Sequence, residues 1–142
     1  MSEFLEKVRY YYQDEYCNCS EAIIRAANEH YSLNISDDDL KMFGADGGGM
    51  FSGLTCGVIS ASAAVLGKMI IDENARKEQA EIRPKFQKLV RNLIQELGGS
   101  SCAQIKPRFF TKETVCWVTV EHAAKVLEKT IEEIREKESI FE

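Results

Sequence analysis

The chain has no surplus of positive charge. Lys and Arg number 18 against 23 Asp and Glu, a net charge of −5. Nucleic acid calls for a basic face, so that class of partner is excluded. No two cysteines stand at C-x-x-C spacing and there is no C-x-x-C-H. A local zinc knuckle and covalently attached haem are therefore excluded. Neither G-x-x-x-x-G-K-[ST] nor G-x-G-x-x-G occurs, which removes the usual phosphate cradles. No segment alternates apolar and polar residues over a strand's length, so no sheet is expected. Met1-Ser2-Glu3 opens no basic and then apolar leader. A signal peptide is not expected, and a cytoplasmic location is. Nor is there an unbroken apolar run of membrane length. Leu54–Ile71 comes nearest, but Gly57, Ser60, Ser62, Gly67 and Lys68 interrupt it, and it reads as a core helix rather than a membrane span.

What is present describes one all-α domain over residues 1–142. Apolar residues make up 44% and charged residues 29% of 142, ample for a packed core. The chain centres on Phe43–Ile71, FGADGGGMFSGLTCGVISASAAVLGKMII. A glycine-rich loop there leads into Cys56 and then into an apolar stretch expected to be the buried central helix of a bundle, at about 54–71, with Thr55 as a candidate cap. Glycine clusters mark backbone at φ > 0 or in close approach.

Around it, helical spacing recurs. Phe4, Leu5, Val8, Tyr11 and Tyr12 give a short first helix, with the tyrosine triplet Tyr10–Tyr12 read as half-buried rings. Asn18 or Ser20 caps a second helix, with Cys19 at its start and His30 as an exposed residue at its end. Ser36 followed by Asp37, Asp38 and Asp39 is a helix start with acid at the positive end, not a calcium loop, because the EF-hand spacing is missing. Leu40, Met42 and Phe43 are expected to close that helix against the core. A long helix over 73–97 contains Pro84, where a kink or break is expected, and Gly98-Gly99 stop it. A helical turn starts at Ser100–Cys102 and ends before Pro107. The last helix runs from Thr111 past Cys116 and Trp117, and its charged tail, about 135–142, is expected to fray.

Five cysteines, Cys17, Cys19, Cys56, Cys102 and Cys116, need a reason in a chain for which no secretion signal is expected. Cys19, Cys56, Cys102 and Cys116 all fall close to predicted helix starts, where the macrodipole favours thiolate. Metal binding, redox cycling and inert burial all remain open from spacing alone. His30 lies roughly 16 Å along its helix from Cys19, and His122 is about 240° around from Cys116, so neither histidine shares a ligand set with them. No general base or substrate pocket is evident, so hydrolytic and transfer chemistry has no support.

The residues Asn18-Cys19-Ser20-Glu21, Gly47-Gly48-Gly49-Met50, Cys56-Gly57, Leu97-Gly98-Gly99-Ser100-Ser101-Cys102 and Cys116 resemble a family of proteins of about 140 residues, described as redox-active and named for its C-GCAxxG-C-C cysteine pattern. The resemblance implies that Cys19, Cys56, Cys102 and Cys116 are the functional set and that Cys17 is an extra. It departs at the central motif, where C-G-A-x-x-G is Cys56-Gly57-Val58-Ile59-Ser60-Ala61. A module resembling this one occurs in a multihaem cytochrome for which an iron–sulfur centre has been suggested. The expected function is thus a redox protein, its four cysteines holding an iron–sulfur cluster or another thiolate-bound metal and exchanging electrons with a redox partner protein. The alternatives are a thiol–disulfide couple with Cys56 as nucleophile, and a helical scaffold with inert thiols.

Overall fold

A computed structural model describes residues 1–140. Seven α-helices and no strand occur among the described residues, so the chain is the all-α bundle its periodicity predicts. They are α1 (Glu3–Arg9), α2 (Cys19–His30), α3 (Asp37–Leu40), α4 (Gly57–Ile70), α5 (Gln79–Leu97), α6 (Cys102–Phe109) and α7 (Trp117–Ile140). A π turn, Tyr10–Asp14, prolongs α1, and a 3₁₀ segment, Lys41–Asp46, prolongs α3.

The starts are set by local chemistry. Asn18 accepts from the Glu21 N–H at 2.9 Å while the Glu21 carboxylate accepts from the Asn18 N–H at 3.1 Å, a reciprocal cap on α2. Ser101 and Gln104 repeat the arrangement on α6. Ser36 caps α3 through the Asp39 N–H. Gly98, in the left-handed conformation, ends α5.

The middle of the bundle is α4, packed against α2, α5 and α7. Val58, Ile59, Ala61, Val65 and Leu66 are buried on it. Each of the larger ones contributes about 1.5–3 kcal/mol by leaving water. Facing them are Ile23, Ala26 and Ala27 from α2 and Val120, Ala123, Ala124 and Leu127 from α7. No helix among the described residues is long and apolar enough to cross a membrane.

Several expectations are corrected in detail. The central helix begins at Gly57, not Leu54; Leu54 and Thr55 lie in an exposed turn, and α4 has no side-chain cap bond. Residues 72–78 are turns rather than helix, folded around Glu78, whose carboxylate accepts from the N–H groups of Asp72, Glu73 and Asn74. Helix α5 therefore starts only a short way before Pro84 and continues through it. Helix α6 runs past Pro107 to Phe109. The last helix starts at Trp117, because Thr111 and Val115 pair with each other in a tight turn first. It is helical to Ile140, and the end of the tail expected to fray lies outside the described residues. Met42 points to solvent, 73% exposed. His30 is half-buried, its ring against Phe4 and Tyr31.

Candidate functional site: four cysteines at four helix starts

Cys19 is the first residue of α2 and Cys102 the first of α6. Cys56 is the residue before α4, where its carbonyl accepts from Ile59 and Ser60. Cys116 directly precedes α7, its carbonyl accepting from Val120 at 3.0 Å.

Two backbone hydrogen bonds tie the starts of α4 and α6 together. The Cys56 N–H donates to the Ser100 carbonyl at 2.8 Å and the Cys102 N–H donates to the Leu54 carbonyl at 2.6 Å, around an antiparallel bridge between Thr55 and Ser101. Residues on either side of a bridged pair emerge on one face, so Cys56 and Cys102 stand as diagonal neighbours. Cys19 closes on the same place from α2. A Cβ built on Gly57 would lie 2.9 Å from the Cys19 sulfur and 2.8 Å from the Asp46 carbonyl oxygen. Only glycine fits there, which explains why Cys56 is followed by one. The two bulkier residues of the motif, Val58 and Ala61, face the core instead and are fully buried.

The glycine loop forms the outer wall. Gly48, Gly49, Met50, Phe51 and Gly53 all have positive φ, between 56° and 72°. Such backbone costs a non-glycine residue about 1–2 kcal/mol. The Gly48 amide of this loop pulls the Cys19 thiol down. It leaves Met50 and Leu54 exposed beside Phe51, which is 80% exposed.

Electrostatics run against the expected thiolates. Cys56 is 5% exposed, and burial, with the fields of Cys19, Cys102 and Cys116 added, pushes its thiol up to about 12. Burial also raises Cys19, against the pull of the Gly48 and Ser20 amides, and Cys116, against the pull of Lys106. Desolvation outweighs the opposing amides and the Lys106 charge at these three. All five cysteines are free thiols.

Cys17 differs. Its thiol is raised by burial and by Glu21, with no contribution from another cysteine. Neither histidine joins the group: His122 pairs with Glu96 at 2.7 Å, and His30 stacks on α1. Among the described residues no three Cys, His, Asp or Glu side chains stand in an arrangement that could hold a metal ion. Sequence reasoning missed Tyr12, whose hydroxyl accepts the Cys116 N–H at 2.8 Å. It also missed the Thr55–Ser101 bridge, since a single bridge leaves no alternating pattern.

The class these features define is an all-α protein with four cysteines at or beside helix starts. The family model described as "Putative redox-active protein (C_GCAxxG_C_C)" matches residues 17–130. The chain belongs to this family. No curated protein matches it, and no solved structure does.

Proposed function

We propose that the chain is an electron carrier or redox sensor whose working group is Cys19, Cys56, Cys102 and Cys116, holding an iron–sulfur cluster or a single thiolate-bound metal. The observation that carries this reading is that all four stand at or beside helix starts, with Cys56 and Cys102 flanking the Thr55–Ser101 bridge and the Cys19 sulfur lying against Gly57. The donor set fits such a group chemically. Four soft sulfurs suit zinc or an iron–sulfur centre. The backbone amides of Gly48 and Ser20 pull the Cys19 thiol down, and that of Val58 pulls Cys56 down, against the effect of burial. Amide donors of this kind stabilise negative sulfur. The sulfurs do not stand as a closed cage, so binding requires them to draw together.

When bound, an iron–sulfur centre supplies a one-electron couple that the side chains lack. The chain's own residues do the rest. The four thiols release their protons on binding, Gly57 leaves room for the Cys19 sulfur, and α4 shields the site from water. A redox partner protein has its approach over Met50, Phe51 and Leu54, the exposed apolar rim of the same loop.

A thiol–disulfide couple is the second reading. The closeness of the Cys19 sulfur to Gly57, next to Cys56, and the absence of a preformed cage among the described residues favour it. There an external disulfide or peroxide would take two electrons as one S–S bond forms and two protons leave.

Protein purified without oxygen separates the two. The metal reading expects iron or zinc bound at a fixed ratio per chain, with visible sulfur-to-metal absorption in the iron case and a colourless site in the zinc case. The disulfide reading expects colourless, metal-free protein that loses two free thiols on mild oxidation. Metal-free protein whose thiols do not respond to oxidants would overturn both.

A further inference from the structure

Carboxylates are missing from the two segments that bring Cys56 and Cys102 together. The chain carries 23 Asp and Glu and a net charge of −5, yet none of those acids falls within residues 47–71 or 97–112. Asp46 and Glu113 stand just outside. The second segment carries Lys106, Arg108 and Lys112, all exposed. None of the three enters an ion pair among the described residues. The Lys106 ammonium instead sits over the Phe110 ring at 5.0 Å, and the Arg108 guanidinium lies 5.4 Å from the Phe109 ring.

The two segments join into one surface. A Cβ built on Gly53 of the glycine loop would stand 3.6 Å from the Ala103 Cβ, in the first turn of α6. Lys106 and Pro107 follow Ala103 at three and four residues, so the same exposed stripe runs from the loop along α6. Phe110 closes that helix, exposed beneath Lys106. On the loop side Phe51 and Leu54 are exposed. Phe51, and Val115 in the turn that carries Lys112, are held out at a positive φ of 56°. Such backbone is uncommon for residues with a Cβ and persists only where the surroundings enforce it.

We propose that this face, with Phe51, Leu54 and Phe110 as its apolar part and Lys106, Arg108 and Lys112 as its cations, docks an acidic redox protein beside the cysteines. The inference rests on the redox reading above and adds the partner's charge. Carboxylates of the partner meet the three cations, which have no acid of their own chain to pair with, and its apolar surface covers the rings. Because the chain as a whole is acidic, the cations steer such a partner to this face and repulsion keeps it from the others. A lipid surface fits less well, since clusters that recognise anionic lipid hold about four to eight Lys or Arg.

The test measures binding of an acidic [2Fe–2S] ferredoxin by calorimetry, at low and at raised salt, to protein purified without oxygen. The parent is compared with Lys106→Glu/Lys112→Glu and with Arg76→Glu/Lys77→Glu. The second pair makes the same change of net charge in the turn beyond the far end of α4, roughly 20 Å along that helix from Cys56. All four side chains are exposed, so helix content should match the parent in both variants. The expected result is parental binding that weakens as salt rises. Affinity should fall about tenfold in Lys106→Glu/Lys112→Glu and stay parental in Arg76→Glu/Lys77→Glu. No ferredoxin binding, binding that salt leaves unchanged, or an equal loss in both variants overturns the docking face. Binding to phosphatidylserine vesicles in place of ferredoxin assigns the face to lipid and overturns it too. So does a parental dimer in light scattering that is lost in Lys106→Glu/Lys112→Glu, which assigns it to a second copy. Bound metal and oxidisable thiols in the same parental sample judge the redox reading separately. Where both are absent that reading falls, and the redox role of the face with it, whatever binds. Where either is present without ferredoxin binding, only the docking face falls.

Discussion

The two stretches on either side of Cys56 are opposites. After it, α4 is regular and buried, with small and branched side chains packed on three neighbouring helices. Before it, residues 48–54 break local rules: Met50 and Phe51 adopt left-handed backbone, and three apolar side chains face solvent. The first stretch gains free energy from burial. The second spends some on strain and exposed apolar surface, which persists only where surrounding structure enforces it. Cys56 sits at the joint, with a rigid wall on one side and amide-bearing, accessible loop on the other.

Substitutions at and around the joint sharpen the contrast. Cys56→Ser should have the largest effect, abolishing metal retention or redox cycling while circular dichroism stays near the parent's, because a serine hydroxyl is a harder ligand and a poor nucleophile. Retained metal at the parental ratio would remove Cys56 from the ligand set. Gly57→Ala comes next. Its new Cβ meets the Cys19 sulfur and the Asp46 carbonyl at under 3 Å. Overpacking of this kind costs about 1–3 kcal/mol, to be read from urea unfolding, and metal retention should weaken in parallel.

A pH dependence follows in metal-free, reduced protein. Cys56 has a folded-state value near 12, above the ordinary 9.0. Its contribution is fully present below about pH 9 and is lost as pH rises from there to 12. For that one group the slope is roughly 1.4 kcal/mol per pH unit. A denaturant midpoint that holds or rises over pH 9–11 would contradict the burial of that thiol. On the strained side, Phe51→Gly should raise stability by at most about 1 kcal/mol, since glycine adopts positive φ without penalty. The same change should slow electron exchange with a protein partner, measured by stopped flow. Cys17→Ser should change bound metal and thiol cycling least.

The bundle was legible because its signals are local and repeated: apolar residues at three and four, Asn18 as a candidate cap, a helix start at Ser100–Cys102, Gly98-Gly99 as a stop. Element edges were less so. Thr111 reads as a helix start until its pairing with Val115 is seen, and Glu78 folds residues 72–74 over itself by bonds that no periodicity encodes. At the site, the four cysteines and their helix starts could be read from sequence. Their protonation could not. The macrodipole argument needs only the chain, whereas desolvation needs to know what covers each sulfur, and for Cys19, Cys56 and Cys116 desolvation prevails. Tyr12 was hidden for a related reason, since its partner Cys116 lies 104 residues away.

The shared four-sulfur site is tested most directly by measuring bound iron, zinc and acid-labile sulfide, with free thiols before and after oxidation, in five single variants purified without oxygen: Cys17→Ser, Cys19→Ser, Cys56→Ser, Cys102→Ser and Cys116→Ser. The account predicts for Cys17→Ser the parental metal and sulfide content and the parental number of thiols lost on oxidation, its total thiol count lower by the one removed, and a common loss of metal and of oxidisable thiols in the other four. Loss in Cys17→Ser equal to that in Cys56→Ser, or parental values in any of the other four, would contradict it.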